Sequence, residues 1–116
     1  MNPKAVTLIE KYKGDGRAMG IEAAKAIVNE YLYNPNIHEN QYSALVSFAD
    51  NVGASAFITS NVLRMVNEGR MLEAADELLL WRVWGDKDSA SMKRRRIEER
   101  KIFLTPAIVG GKKKRA

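Results

Sequence analysis

Few side chains in this 116-residue chain can do chemistry, and their types narrow the choice quickly. There is no cysteine, so neither disulfides nor thiolate metal sites contribute. One histidine, His38, cannot make a multi-histidine metal centre, and no metal or cofactor is expected. What remains is carboxylates and basic groups. Glu10 and Lys13, in "LIEKYKGDG", lie three residues apart and share one helix face, about 5 Å apart along the axis. Arg94, Arg95 and Arg96 form a run that could line a nucleic-acid contact. Glu98, Glu99 and Arg100 follow at pairing distance, however, so a salt-bridged helix face is the simpler expectation.

The formal charge is +5, and four positive charges sit in the terminal "KKKRA" (Lys112, Lys113, Lys114 and Arg115) after Gly110-Gly111. The rest of the chain is nearly neutral. Residues 1–109 therefore read as one domain and 110–116 as a flexible basic tail, solvated or touching nucleic acid or another anionic surface. Hydrophobic residues make up 46% of the chain, enough for a core at this length. No apolar run could span a bilayer, and Met1 to Lys13 lacks the apolar centre of a secretion signal, so a soluble protein with nothing directing export is expected.

The elements that must position these residues are helical. A first helix ends at Gly14, where glycine tolerates a left-handed cap. Ile21, Ala24, Ile27, Val28, Tyr31 and Leu32 mark a second, from Met19 to Tyr33, closed by Asn34-Pro35. Tyr42, Leu45, Phe48, Ala49 and Val52 form a third stripe that stops at Gly53. Thr59 or Ser60 caps a helix carrying Val62, Leu63 and Val66. Leu72 to Trp84 reads as a strongly apolar helix, "GDKDSAS" as a loop, and Met92 to Leu104 as the closing helix, begun at Ser91. Nothing alternates with period two, so the fold class is all-α, a compact helical bundle.

"NQYSALVSFADNVGASAFITSNVLRMVNEG", Asn40 to Gly69, resembles the phage-type lysozymes, the endolysin-like glycoside hydrolases. Their run reads Gln-Phe-x-Ala-Leu-x-Ser-Phe-x-x-Asn-x-Gly, then Phe, a Ser/Thr cap, Leu and Asn-x-Gly. "EAADELLLW" (Glu73 to Trp81), "RRRIEERKIFL" (Arg94 to Leu104) and "LIEKYKG" resemble the next helix, the closing helix and the opening one. The resemblance implies the family's C-terminal helical lobe plus its first helix.

Two departures shape the functional expectation. The family's general acid is the Glu before the glycine, and the matching residue here is Lys13. Glycoside hydrolysis needs a carboxylic acid to protonate the leaving oxygen and normally a second carboxylate. A lysine is cationic at neutral pH and would repel the developing positive charge, and Glu10, one turn away, is misplaced for the task. The β-rich lobe carrying the family's second catalytic segment is reduced to "DGRAMG". The resemblance, with these losses, implies a phage-derived, non-hydrolysing module in the cytoplasm of a bacterial host. Such a module would act by binding another macromolecule, foremost a host protein, for example as an inhibitor of a host system. A peptidoglycan-directed muramidase or binder is the alternative, and nucleic-acid binding through Arg94 to Arg96 and the tail is a third.

The expected partner surface is the one the missing lobe would cover: Glu10, Lys13, Asp15, Arg17 and Met19, with Tyr31 and the freer tryptophan, Trp84. Asp50 and Asn51 would line the floor of the old cleft. His38 falls where the family has a threonine helix cap and is expected as a weak cap or a loop residue, not a ligand. Deleting Lys112 to Ala116 should leave the melting temperature nearly unchanged, because no core residue is lost; a fall of many degrees in a thermal melt would mean that the tail is docked.

Overall fold

The computed structural model describes residues 1–14, 18–84, 87–109 and 112–113, and their side chains apart from those of Trp84, Lys87 and everything from Ile108 onward. Seven helices run through the described residues: α1 Pro3–Lys11, α2 Ile21–Tyr31, α3 Glu39–Val52, α4 Ala54–Ile58, α5 Asn61–Asn67, α6 Met71–Leu78 and α7 Ala90–Leu104. Two antiparallel pairs of two residues each complete the list, β1 Val83–Trp84 with β2 Lys87–Asp88 and β3 Ile108–Val109 with β4 Lys112–Lys113. The fold is all-α, as its sequence pattern predicts.

α3 is the axis of the molecule. Every residue from Ser43 to Val52 is buried, polar ones included, and α1, α2, α4 and α7 all pack on it. A helix buried all round needs a large apolar payload, and Leu45, Val46, Phe48 and Ala49 provide it. Phe48 meets Phe57 and Trp81 edge-on, with ring centroids 6.1 and 5.4 Å apart. The helix starts at His38, whose Nδ1 accepts from the amides of Asn40 (3.2 Å) and Gln41 (3.4 Å) while Gln41 Oε1 accepts from the His38 amide. His38 is thus the cap its position suggests. At the other end, Gly53 at φ 90° turns the chain into α4, in a backbone region that side chains with a Cβ rarely enter.

Several boundaries differ from the sequence pattern. α2 stops at Tyr31 because Asn67 receives the chain there: its amide donates to the Tyr31 carbonyl, and its Oδ1 accepts from the Tyr33 and Asn34 amides. "ASAFI", unassigned by pattern, is the short α4. Ser60, not Thr59, caps α5 through the Leu63 amide, and Ser89, not Ser91, caps α7 through the Met92 amide. The largest correction is α6, which ends at Leu78 instead of running to Trp84. Past Leu78 the chain tightens into i→i+3 turns, the Leu79, Leu80 and Trp81 amides donating to the Asp76, Glu77 and Leu78 carbonyls, and the Trp81 and Arg82 carbonyls are then taken by Arg96 at 2.9 Å and the Ser89 amide at 2.7 Å. Val83–Trp84 then pairs with Lys87–Asp88. No helix of the described residues is long and apolar enough to cross a membrane.

Because Phe48 is fully buried and packs on the Phe57 and Trp81 rings, Phe48→Ala should cost about 3–5 kcal/mol of stability. Urea denaturation would read this as a lower midpoint with an unchanged slope.

Candidate functional site

An open groove of about 450 Å³ lies where α1 ends and α2 begins. Ile9, Glu10, Lys13 and Gly14 form one side, and Ala18, Gly20 and Ile21 form the other. Asp50, on α3, forms the floor although only 1% of its surface is exposed. α1 presents this face because Ala5, Leu8, Ile9 and Tyr12 are drawn into the core, leaving Glu10 and Lys13 in solvent. Gly20 occupies the N-cap of α2 at φ 90° without a side chain of its own to cap it. Asp50 does that work from across the groove: its Oδ1 accepts from the Gly20 amide at 2.9 Å.

Behind the floor lies a buried ion cluster. Arg95 Nη2 donates to Asp50 Oδ2 at 3.1 Å and to the Ser47 carbonyl at 2.7 Å, and its Nε donates to Glu99 Oε2 at 3.1 Å. Arg96 Nη1 donates to Glu99 Oε1 at 2.7 Å, and Nη2 donates to Asn51 Oδ1. Both guanidiniums also lie over aromatic faces, Arg95 over Tyr12 (5.6 Å to the ring centroid) and Arg96 over Phe48 (5.1 Å). Two cations thus meet two carboxylates at almost no exposure. Burial pushes the Arg96 guanidinium below its usual range, against the attraction of Glu99. Among the described residues, Arg95 Nη1 is buried with no hydrogen-bond partner.

These positions sort the residues that the sequence singles out. Glu10, Lys13 and Asp50 come together in the groove. Asn51 does not join them, because it faces Arg96 instead. Met19 and Tyr31 are half-buried against the core, and Tyr31 is at the far end of α2, about 15 Å along the axis from Ile21. Asp15, Arg17, the Trp84 side chain, and the Lys112, Lys113, Lys114 and Arg115 side chains lie outside the described residues. The expected surface of Arg94, Arg95 and Arg96 requires correction: Arg94 is exposed, but Arg95 and Arg96 are buried and committed to Asp50, Asn51 and Glu99. Pattern reasoning missed Glu99 as the bridge and Gly20 as Asp50's partner. A signal for the first existed, since Asp50-Asn51 interrupts an apolar stripe that a charged partner must satisfy.

A helical lobe built around one central helix, with a groove at the end of the first helix, defines the lysozyme-like class of fold. The phage lysozyme family model matches residues 13–99, and the chain belongs to that family. It is 45% identical over 69 residues to the endolysin of Salmonella phage P22, covering 60% of this chain and 47% of that protein. With the endolysin of Bacillus phage B103 it shares 40% identity over 74 residues, 64% of this chain and 28% of the relative. The chain thus spans less than half the length of either relative. Among solved structures, the muramidase domain of SpmX from Asticaccaulis excentricus superposes with a TM-score of 0.76 at 27% identity, over 91% of this chain and 97% of that one.

Removing one partner from a buried ion cluster leaves uncompensated charge, so Glu99→Ala, which takes the carboxylate from Arg96 and leaves Arg95 with Asp50 alone, should cost about 3–5 kcal/mol. The exposed neighbour Glu98→Ala should stay within about 0.5 kcal/mol. Paired urea titrations of the two variants check the contrast.

Proposed function

We propose that the chain is a peptidoglycan-directed module that holds a glycan strand in the groove between α1 and α2 without cleaving it. Family membership and likeness to endolysins and a muramidase domain support the direction toward peptidoglycan, in preference to a host protein. The observation that carries the site is the groove itself, with aliphatic walls at Ile9, Ala18 and Ile21 and polar groups at Glu10 and Lys13, the mixture that sugar rings use.

The same groove argues against hydrolysis by this chain alone. A proton donor and a stabilising carboxylate are both needed. Asp50 has one oxygen on the Gly20 amide and the other on Arg95, which leaves it a structural anchor. Glu10 stands exposed to solvent at the rim, with no apolar enclosure around its carboxyl group. Lys13 carries a positive charge where the family places its acid. That lysine also favours a second reading, a non-hydrolysing module that binds another protein through this surface.

Co-sedimentation with purified sacculi, run beside a turbidity assay, tests the proposal. Saturable binding without loss of turbidity is expected. Ala18→Asp should weaken binding about ten-fold, about 1.4 kcal/mol, by placing charge against the sugar face. Lys13→Glu should not start lysis, because the segment that carries the family's second carboxylate is reduced to "DGRAMG". Lysis by the parent chain would make it a muramidase with Glu10 as the candidate acid, and absence of binding would move the protein-partner reading ahead.

A further inference from the structure

A second groove, of about 430 Å³, runs between α1 and α7 and is independent of the first. Lys4, Thr7 and Lys11 stand along one side and Glu98 along the other, with Leu8 and Ile102 beneath. Lys4 and Lys11 are seven residues apart on α1. On α7, Arg94 and Lys101 are also seven apart and bracket Glu98, whose carboxylate is 3.3 Å from the Lys101 ammonium. At 1.5 Å per residue, each pair spans about 10.5 Å, two helical turns. All four cations are exposed, against one exposed carboxylate in the same stripe. Lys4 and Lys11 line the groove itself, Arg94 and Lys101 flank it on α7, and Lys101 is paired with Glu98, so the face keeps an excess of positive charge.

Three polyanionic or amphipathic partners would fit a groove in principle, and the lining decides among them. An amphipathic acidic helix needs an apolar floor to cover, but Leu8 and Ile102 are already 6% and 4% exposed and offer almost nothing more. Single-stranded nucleic acid is held largely by aromatic stacking, and none of the groove's lining residues is aromatic. A phosphodiester polymer without bases needs neither, only cations spaced along an open track. We infer that the α1–α7 face binds an alditol-phosphate polymer of the bacterial wall. The inference deepens the peptidoglycan reading and rests on it: the first groove takes the glycan, and this face takes the phosphate chain attached to it.

Fluorescence anisotropy with labelled poly(glycerol phosphate) and the full chain tests this directly. Each cation that neutralises a phosphate contributes about 0.7 to the slope of log affinity against log salt, by analogy with single strands. The variant Lys4→Gln/Lys11→Gln/Lys101→Gln should therefore lose about two units of slope. Its loss of affinity between 50 and 200 mM salt should be about twenty-fold smaller than the parent's, whatever the terminal lysines add to both. Glu98→Gln should strengthen binding, an effect that a merely structural role would not produce, while Lys13→Gln, in the other groove, should leave it unchanged. Circular dichroism of each variant confirms folding. Equal salt slopes for the parent and the triple variant would overturn the inference, as would single-stranded DNA bound ten-fold more tightly than the polymer. Sacculi stripped of phosphate polymers separate the two ideas. If they are bound while the free polymer is not, this inference fails and the glycan reading stands; if the polymer is bound and stripped sacculi are not, the glycan reading is the one that fails.

Discussion

Two arginines and two carboxylates share a nearly dry space between α3 and α7, and much of the remaining architecture hangs on their pairing. Glu99 bridges both guanidiniums, Arg95 continues to Asp50, and Arg96 continues to Asn51 and the Trp81 carbonyl. Removing charges from water is expensive, and the mutual attraction returns that cost only when geometry and hydrogen bonds are nearly complete. A cluster of this kind therefore contributes more to register than to stability. If α7 were shifted by one turn along α3, the Arg95–Asp50 pair and the Arg96–Asn51 and Ser47–Glu99 hydrogen bonds would break, while Glu99 would keep both arginines of its own helix.

The same cluster shapes the groove from behind. Asp50 is held by Arg95 on one side and offers its other oxygen to the Gly20 amide, so the entrance to α2 is fixed by a residue thirty positions away. Gly20 can accept that anchor because its φ of 90° costs glycine little. A carboxylate with both oxygens engaged is a poor reagent and a good support. Lys13 stands exposed at the rim of the same groove, beside Glu10.

The two faces of α1 make separate surfaces. One, with Glu10 and Lys13, borders the first groove; the other, with Lys4 and Lys11, borders α7. A nine-residue helix supports both because its remaining stripe, Ala5, Leu8 and Ile9, is buried against the α3 core. The two surfaces therefore share no lining side chain.

By itself the sequence determined what depends on neighbours along the chain. The 3.6-residue period of Leu45, Phe48, Ala49 and Val52 marks α3, Gly53 and Gly69 mark helix ends, and the Thr59-Ser60 pair marks a helix start without saying which residue caps it, since these follow from local backbone chemistry. The ordered runs from Asn40 to Leu104 also carried the family. Tertiary structure decided the rest, because burial is a property of packing. Arg94, Arg95 and Arg96 are three identical letters in a row, yet only the first reaches solvent, and which ones point inward is set by the angle at which α7 meets α3. The "LLLW" run favours helix by propensity, but the chain tightens into i→i+3 turns after Leu78, and Arg96 holds the Trp81 carbonyl from fifteen residues away. Asp50 reads as a cleft carboxylate until Arg95 and Gly20 are seen to occupy both of its oxygens, and no spacing along the chain could have revealed those two partners.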